Sequence, residues 1–270
     1  MSPDRKPAGV TRLLEIMARL RDPEHGCPWD RAQTWRSLIP FTLEEAYEVA
    51  DAIERGSGEA LREELGDLLF QIVFYAQIAA ETGSFDFESV AAGIAEKLER
   101  RHPHVFGEAR IGSAKEQSLA WEEHKARERA LHADGPHAGA LDGVAQALPA
   151  LTRAVKLQQR AARVGFDWPS LDGVLAKVDE ELAELRAELD AEPPEPGRLE
   201  HELGDLLLAV TNLSRHLAID PEAALRRANR RFETRFHHME QALAVRGGDL
   251  AGLSAEELDA LWRAAKAAER

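Results

Sequence analysis

The sequence is poor in cysteine and in aromatic residues, and it has no long apolar run. Cys27 is the only cysteine among 270 residues, which excludes an intrachain disulfide and a thiolate metal site. Phe, Trp and Tyr together make up 6% of the chain. No apolar run approaches the length of a membrane span, and the first residues lack the apolar region of a signal peptide. We therefore expect a cytoplasmic protein with no membrane partner.

Positive charge is also scarce. Lys and Arg number 34 against 48 Asp and Glu, which gives a net charge of −14. This balance disfavours nucleic acid as a partner, because binding to its phosphates depends on many cationic contacts. It still permits a local basic pocket for a small phosphorylated ligand. Since no G-x-x-x-x-G-K-[ST] phosphate loop is present, we expect any phosphate binding to depend on a metal ion.

The chain is rich in helix-forming residues and in helical periodicity. Ala, Leu, Glu and Arg dominate, and no stretch alternates with a period of two, so the predicted fold class is all-α. Asp86 and Asp220 are predicted N-caps, and Thr42-x-x-Glu45 has the pattern of a capping box. Apolar residues at helical spacing are predicted to face the cores, among them Leu43, Tyr47, Ile53, Leu203, Leu207 and Val210.

A six-residue string occurs twice and divides the chain into related halves. Glu-Leu-Gly-Asp-Leu-Leu at 64–69 recurs unchanged at 202–207. About twenty residues before each copy lies a Glu-Glu-x-x-Glu cluster, formed by Glu44, Glu45 and Glu48 in the first half and by Glu180, Glu181 and Glu184 in the second. The repeat predicts two helical modules, at residues 1–110 and 151–270. A charged connecting helix and a linker are predicted at 111–150.

The two acidic motifs of each half are expected to meet. Acidic residues three apart share one face of a helix, so two such helices packed together would pool four carboxylates. These would repel one another without a cation between them, and Mg²⁺ prefers carboxylate oxygens. Gly66 and Gly204 weaken their helices and point away from the acidic faces, which predicts close approach of another helix, as at a subunit interface.

A third helix in each half adds positive charge. When the halves are aligned at Asp86 and Asp220, Lys97 matches Arg231 and Arg101 matches Arg235. In each half the two cations are four residues apart and share a helical face. Carboxylates together with a basic pair are typical of a site that binds phosphates through a metal ion.

Two other interpretations account for the same acids. A single Glu-Glu-x-x-Glu is common on solvated helix faces, so a non-enzymatic all-α adaptor is the main alternative. That alternative predicts no stabilisation by Mg²⁺ and nucleotide. A di-iron carboxylate bundle is the second alternative, because Glu99-x-x-His102 matches half of its motif. Such a bundle needs a second Glu-x-x-His pair, and the acidic helices contain none.

Several short strings in both halves narrow the choice. Besides the acidic motifs, these are the strings at 27–30 (CPWD), 42–48 (TLEEAYE), 100–106 (RRHPHVF), 164–168 (VGFDW) and 228–232 (ANRRF). With them the chain resembles, over nearly its whole length, the two-module MazG nucleoside triphosphate pyrophosphohydrolases of the all-α NTP pyrophosphatase superfamily.

The resemblance implies hydrolysis of NTP or dNTP to the monophosphate and pyrophosphate, with Mg²⁺ or in its place Mn²⁺. It implies that the C-terminal module is the active one. Its metal ligands would be Glu181, Glu184, Glu202 and Asp205; its phosphate contacts would be Arg231, Arg235 and Lys156; and Trp262 would lie against the nucleotide. The matching acids of the first module are Glu45, Glu48, Glu64 and Asp67.

Arg231 departs from the family pattern. It stands where family members often have Lys, and the exchange of a compact ammonium for a planar guanidinium group can alter substrate preference.

Each half has only three or four predicted helices, so we expect a homodimer in which a second chain completes each bundle. Elution as a monomer in gel filtration would contradict this expectation.

Overall fold

The computed structural model describes residues 9–107, 112–113, 139–245 and 248–268. These residues form helices and connecting turns without any strand, which confirms the all-α class. The predicted connecting helix at 111–150 lies largely outside them. In chain order the helices are α1 Val10–Leu20, α2 Pro28–Ala32, α3 Ile39–Arg55, α4 Gly58–Glu81, α5 Phe87–Arg101, α6 Pro103–Phe106, α7 Ala150–Arg163, α8 Leu171–Leu189, α9 Pro196–His216, α10 Pro221–Ala244 and α11 Ala255–Ala268.

Contacts divide the chain into two compact units, Met1–Ala126 and Arg127–Arg270. In the first unit, α1, α3 and α5 pack against the long helix α4. Met17, Leu38, Val73 and Phe74 form its buried core. Burial of such side chains is the main stabilising contribution, about 1.5–3 kcal/mol for each large one.

Arg21 connects three segments of the first unit. Its guanidinium donates to both carboxylate oxygens of Glu81, at 2.6 and 2.7 Å, and to the backbone carbonyl oxygens of Asp30 and Gln33. The hydrogen bond from Arg21 holds the pKa of Glu81 below its usual range. The guanidinium carbon also lies 5.5 Å from the centre of the Phe74 ring. Arg21 therefore ties the end of α4 to the α2 segment above the core.

In the second unit, α9 packs against α8 and α7, and α10 packs against α11. Val174 and Ala209 are buried among the first group, and Met239, Leu243 and Ala265 among the second. Asp220 caps α10 by accepting a hydrogen bond from the backbone N–H of Ala223 at 3.0 Å, as predicted. Asp86 caps α5 in the same way, by accepting a hydrogen bond from the backbone N–H of Ser89 at 2.8 Å.

The start of α3 differs from the prediction. The helix begins at Ile39, with Pro40 in its first turn, so Thr42 lies inside it and the predicted capping box at Thr42-x-x-Glu45 is wrong. The Thr42 hydroxyl instead contacts the backbone oxygen of Leu38 at 3.1 Å and the Tyr75 hydroxyl at 2.8 Å. Glu45 is thereby left available to the acidic cluster of the first unit.

The predicted core faces are only partly buried within one chain. The six apolar positions named above are between 42% and 57% exposed, and this part of the prediction is wrong for the single chain: Leu43, Tyr47, Ile53, Leu203, Leu207 and Val210. Exposed apolar residues at helical spacing are typical of surfaces that another protein covers. The homodimer remains a prediction. No helix in the described part of the chain is both long and apolar enough to cross a membrane.

The glycines of the repeated string have open space beside them in the described part of the chain. Apart from their own helix and the adjoining residues, no described atom lies within 4 Å of the position that a Cβ would take on Gly66 or Gly204. No described helix of the chain therefore makes the predicted close approach. Contact with a second subunit remains a prediction.

Candidate functional site

The acids of the second unit come together from two helices. Glu181 and Glu184 lie one turn apart on α8, and Glu202 and Asp205 lie one turn apart on α9. Carboxylate oxygens of Glu181, Glu184 and Glu202 lie within 4.8 Å of one another. Ligand atoms of His201, Glu202 and Asp205 form a second group within the same distance. Glu202 belongs to both groups, so the four predicted carboxylates form one cluster, which we call the α8–α9 acid cluster.

This cluster concentrates negative charge. Loss of hydration beside its neighbours, followed by the charges of Glu181 and Glu202, raises the pKa of the exposed Glu184 above its usual range. The Glu181 carboxylate is itself buried and forms an ion pair with Lys177. The Nζ of Lys177 lies 2.7 Å from a carboxylate oxygen of Glu181 and 2.9 Å from one of Glu180. These contacts raise the pKa of Lys177, with Glu181 as the largest cause. A set of oxygen donors that is short of positive charge fits a hard divalent cation.

Removal of the Glu184 charge is expected to stabilise the protein at neutral pH. The raised pKa means that the folded state favours the protonated form, so this contribution is present below the unfolded pKa and is lost as pH rises through the folded pKa. Glu184→Gln keeps an uncharged side chain at all pH values. We expect its melting temperature to exceed that of the wild type at pH 7 and the difference to shrink towards pH 4.

Glu200→Gln is the matched control, because it also removes one negative charge but from an exposed position on α9. Thermal unfolding followed by circular dichroism, without divalent cations, measures both variants. Equal shifts for Glu184→Gln and Glu200→Gln would mean that repulsion within the cluster is not the cause.

The first unit repeats the acids with different neighbours. Carboxylate oxygens of Glu45, Glu48 and Glu64 lie within 4.8 Å of one another. Burial, followed by the charges of Asp67 and Glu48, raises the pKa of Glu45, which places Asp67 beside this group. When Glu45 is aligned with Glu181, Phe41 stands at the position of Lys177. The first cluster therefore lacks the counterpart of the lysine that pairs with the second.

The predicted phosphate and nucleotide contacts lie on other helices of the second unit. Arg231 is exposed on α10. One turn further along, the guanidinium carbon of Arg235 lies 5.5 Å from the centre of the Trp262 ring, a distance typical of a cation–π contact. Trp262 also packs on Phe232, with ring centres 5.3 Å apart. The structure thus brings Arg235 and Trp262 together, on α10 and α11.

Lys156 lies in a different cavity from the acids. With Arg215 it lines a space of about 360 Å³ between α7 and the start of α10, where Asp220 and Pro221 form the opposite wall. None of the cluster carboxylates lines this space. Among the described residues, the structure does not bring Lys156 to the α8–α9 acid cluster.

A smaller cavity adjoins the acid cluster directly, and we call it the Trp168 cavity. Its volume is about 140 Å³. Its wall contains charged, polar and apolar side chains, which are Lys177, Glu181, Asp205, Gln158, Asn212, Phe166, Trp168, Val174, Leu208 and Ala209. The uncharged part of this wall was not predicted from the sequence. The conspicuous string Val-Gly-Phe-Asp-Trp at 164–168 was the available signal.

The loop that carries the two aromatic residues of this cavity is held by an ionic network. Asp167 accepts hydrogen bonds from both terminal nitrogens of Arg215, one of them at 3.0 Å, and His216 Nε2 lies 3.0 Å from its carboxylate. Arg215 also donates from Nε to buried Asn212 at 2.8 Å. The Arg215 hydrogen bonds are the main cause that lowers the pKa of Asp167 to about 2. Asp167 therefore stays ionised across the physiological range.

Comparison with known proteins gives similarity over the whole chain. The sequence profile described as the MazG nucleotide pyrophosphohydrolase domain matches residues 33–106, in the first unit. A protein named nucleoside triphosphate pyrophosphohydrolase from Escherichia coli (strain K12) is 50% identical over 260 residues, which cover 96% of this chain and 98% of that protein. One named nucleoside triphosphate pyrophosphohydrolase/pyrophosphatase MazG from Thermotoga maritima is 44% identical over 263 residues, which cover 97% and 98% respectively.

One solved structure is also similar. The crystal structure of a mazG-related protein from Thermotoga maritima matches with a TM-score of 0.37 and 35% sequence identity. The match covers 43% of this chain and 99% of that one.

Proposed function

The chain belongs to the MazG family, and from that premise we propose that it hydrolyses nucleoside triphosphates (NTP and dNTP) between the α and β phosphates, with Mg²⁺, at the α8–α9 acid cluster. The observation that supports this site is the convergence of Glu181, Glu184 and Glu202 within 4.8 Å. The products are the nucleoside monophosphate and pyrophosphate. Both full-length relatives named above carry the corresponding activity in their names.

Glu181, Glu184, Glu202 and Asp205 are the residues that would hold Mg²⁺, with Mn²⁺ as a substitute. Such an ion, when bound, neutralises phosphate charge and lowers the pKa of a coordinated water molecule. The pairing of Glu181 with Lys177 supports this assignment, because it provides the cluster with a cation from the chain itself. Lys177 would have to release Glu181 for that carboxylate to hold a divalent cation.

The remaining steps belong to side chains of the second unit. Glu180 or Glu181 would accept the proton of the attacking water as the bond between phosphorus and the bridging oxygen breaks. Arg231 and Arg235 would pair with the negative charge that develops on the departing pyrophosphate. Trp262, which contacts Arg235, would lie against the nucleotide. Lys156 lines a separate cavity with Arg215, and its role as a phosphate contact rests on the family resemblance alone.

The second unit is proposed as the main site of turnover for two reasons. Asn229 precedes Arg231 in an Asn-x-Arg pattern, and Ala95 stands at the matching position of the first half. The first half likewise has an uncharged residue, Phe41, at the position aligned with the cation Lys177. The first unit retains Glu45, Glu48, Glu64 and Asp67 with Lys97 and Arg101, and would act as a weakly active, regulatory or structural copy.

A homodimer is part of this proposal. The exposed apolar residues of α3 and α9 lie on the same helices as the acids, so a second chain that covers them would also enclose the sites. Enclosure excludes water and strengthens the electrostatic contacts on which hydrolysis depends.

A substrate screen tests the proposed reaction. The full chain is incubated with each common NTP and dNTP and Mg²⁺, and pyrophosphate and orthophosphate are measured separately. We expect pyrophosphate equal in amount to the nucleotide consumed and no turnover when a chelator removes Mg²⁺. Release of orthophosphate alone would contradict cleavage between the α and β phosphates.

The same screen, run as a thermal-shift experiment, separates an enzyme from an adaptor. A ligand that binds the folded state raises the melting temperature. Absence of turnover together with absence of stabilisation by Mg²⁺ and nucleotide would favour the non-enzymatic all-α adaptor.

A further inference from the structure

The second unit has a cavity apart from the acid cluster, and we call it the Lys156 cavity. Its volume is about 360 Å³. One wall is a face of α7 that carries Thr152, Lys156 and Gln159 at helical spacing. The other wall is formed by Arg215 at the end of α9 and by the turn that leads to Pro221 at the start of α10. A cavity of this volume lies within the range of small-molecule sites, about 300–1,000 Å³.

The charged groups of the wall favour an anion. Lys156 is exposed and forms no hydrogen bond or ion pair with a described residue. Arg215 provides a second positive charge, and its side chain is only 14% exposed. Asp220 is the only carboxylate among the described residues of the wall. It accepts a hydrogen bond from the backbone N–H of Ala223 at 3.0 Å, where the dipole of α10 offsets its charge. Lysine, arginine and a hydroxyl such as that of Thr152 are typical contacts of a phosphate group.

The turn that forms the second wall is ordered by its own backbone. The N–H of Ala218 donates to the carbonyl oxygen of Arg215 at 3.1 Å, and the N–H of Ile219 donates to that of Ser214 at 2.8 Å. Ala218 has a φ of +55°, in the left-handed region that a residue with a Cβ seldom adopts. Asp220 follows as the N-cap of α10. Because these contacts form the wall before a ligand arrives, less conformational entropy is lost on binding.

Arg215 connects this cavity to the loop at 164–168. Its Nε donates to Asn212 at 2.8 Å, and its two terminal nitrogens donate to Asp167. One terminal nitrogen also lies 2.8 Å from His216 Nε2. A guanidinium has five N–H groups, so at least one of them is left for a ligand after these contacts. The same side chain therefore serves the loop and the wall of the Lys156 cavity.

An anion beside Arg215 competes with Asp167 for its positive charge. Among the described residues, Asp167 is the only carboxylate that pairs with Arg215, and a second negative charge near the guanidinium repels it. Phe166 and Trp168, the neighbours of Asp167 in the chain, line the Trp168 cavity beside the acid cluster. Binding in the Lys156 cavity is thereby coupled to the position of side chains next to the acids.

From these contacts we propose that the Lys156 cavity is a second anion site, where Lys156, Arg215 and Thr152 bind the phosphate group of a small molecule. The bound anion loosens the loop at 164–168 through Arg215. The ligand class includes free orthophosphate and the pyrophosphate that the proposed reaction releases. Binding itself does not depend on hydrolysis, whereas an effect on turnover rests on the nucleoside triphosphate hydrolysis proposed above.

Gln159→Glu in the full-length protein is the first test. The change places a negative charge in the cavity wall at an exposed position, where glutamate is also a good helix former. Orthophosphate and pyrophosphate are titrated separately into protein freed of divalent cations, so that the acid cluster has no metal ion through which to bind phosphate. We expect the dissociation constant of the tighter-binding anion to rise about fivefold in Gln159→Glu and about tenfold in Lys156→Met.

Gln241→Glu is the matched control, because it makes the same change at an exposed position of α10 that does not line the cavity. It should leave both dissociation constants unchanged. Tighter binding of pyrophosphate would identify a product of the proposed reaction as the occupant, and tighter binding of orthophosphate would identify the free ion. Either order supports the site.

Asp167→Asn tests the connection through Arg215. The variant removes the charge that competes for the guanidinium, so we expect it to bind the anion about fivefold more tightly than the wild type. Reciprocally, the anion should change the fluorescence of Trp168 in the wild type, and Trp168→Phe should abolish that change while binding persists. Circular dichroism establishes that each variant is folded, and the fluorescence signal carries this test where Asp167→Asn is not.

Turnover gives a separate readout. Orthophosphate is not a product of the proposed reaction, and at saturating concentration it is expected to slow pyrophosphate release from ATP, because the loop beside the acids is loosened. Gln159→Glu should hydrolyse ATP at the wild-type rate and resist this inhibition.

The outcomes separate this proposal from the proposed function. Absence of binding for both anions, or equal dissociation constants in the wild type, Lys156→Met and Gln159→Glu, would overturn the site. Binding that leaves the fluorescence of Trp168 unchanged and is not strengthened in Asp167→Asn would overturn the coupling. Both measurements are made without substrate, so a failure of the proposed hydrolysis in the substrate screen is distinguishable from either result.

Discussion

Glu202→Gln is expected to reduce pyrophosphate release from nucleoside triphosphates by more than about a hundredfold and to leave the helical content unchanged. Changes around a metal ligand already reduce affinity or activity by about 10- to 100-fold, and loss of a ligand itself should exceed that. Glu202 is the carboxylate shared by both groups of the α8–α9 acid cluster. Glutamine keeps its size but removes the charge, so the variant isolates electrostatics from packing.

Two matched variants complete this experiment. Glu64→Gln changes the same position of the repeat in the first unit, and we expect most of the turnover to remain. Glu200→Gln removes a charge from an exposed position two residues before Glu202 and should have no effect. Initial rates of pyrophosphate release, with circular dichroism for folding, decide the result. Full activity of Glu202→Gln would refute the site, and loss of activity in Glu64→Gln alone would move it to the first unit.

The acid cluster was predictable because local rules determine it. Helical periodicity alone places Glu181 and Glu184 on one face, and the same holds for Glu202 and Asp205. The repeat then indicates that the two faces belong together, since both motifs recur at similar spacing in each half. Only the pairing of α8 with α9 required tertiary structure, and a short connection between antiparallel helices is the usual arrangement.

The Trp168 cavity was not predictable because its wall joins residues that sequence spacing does not connect. Gln158 comes from α7, Trp168 from a loop, and Asn212 from α9. The contact of Trp168 with Gly173 depends on how the loop folds back on α8. Neither periodicity nor a motif with known chemistry indicates such a contact. In the sequence, Phe166 and Trp168 were therefore recognisable only as part of the conspicuous string at 164–168.

The prediction that these helix faces are buried was wrong for a different physical reason. A hydrophobic stripe indicates that a face is covered, but it does not say by which chain. Leu203 and Leu207 follow the helical pattern and are nevertheless about half exposed in the single chain. Gly204, which lies between them, has nothing within 4 Å of its Cβ position among the described residues. The same sequence pattern is thus consistent with a covering subunit, which is the arrangement that the homodimer proposal supplies.

The two acid clusters, similar in their carboxylates, differ in what surrounds them. Lys177 and His201 lie beside the acids of the second unit, whereas Phe41 and Glu63 occupy the aligned positions of the first. The charge of Lys177 reduces the repulsion between the carboxylates of the second cluster. The first cluster has no cation at the aligned position, and there burial, followed by the charges of Asp67 and Glu48, raises the pKa of Glu45. Repetition of a motif therefore does not imply repetition of its chemistry.

Phe74→Ala is expected to give the largest loss of stability in the first unit. Phe74 is fully buried, its ring packs edge-to-face on Phe70 with centres 5.7 Å apart, and Arg21 lies over it. Truncation removes these contacts and leaves a cavity between α1 and α4, at a cost of about 3–5 kcal/mol in the free energy of unfolding. A typical domain has only about 5–15 kcal/mol in total, so the first unit should unfold at a much lower urea concentration.

Urea denaturation followed by circular dichroism measures this loss, with Phe106→Ala as control. Phe106 is 64% exposed, and its truncation should change the free energy of unfolding by no more than about 0.5 kcal/mol. Similar denaturation midpoints for the two variants would mean that Phe74 is not at the centre of a packed core. A midpoint that falls for Phe74→Ala alone would confirm that Phe74 is a central part of the packed core of the first unit.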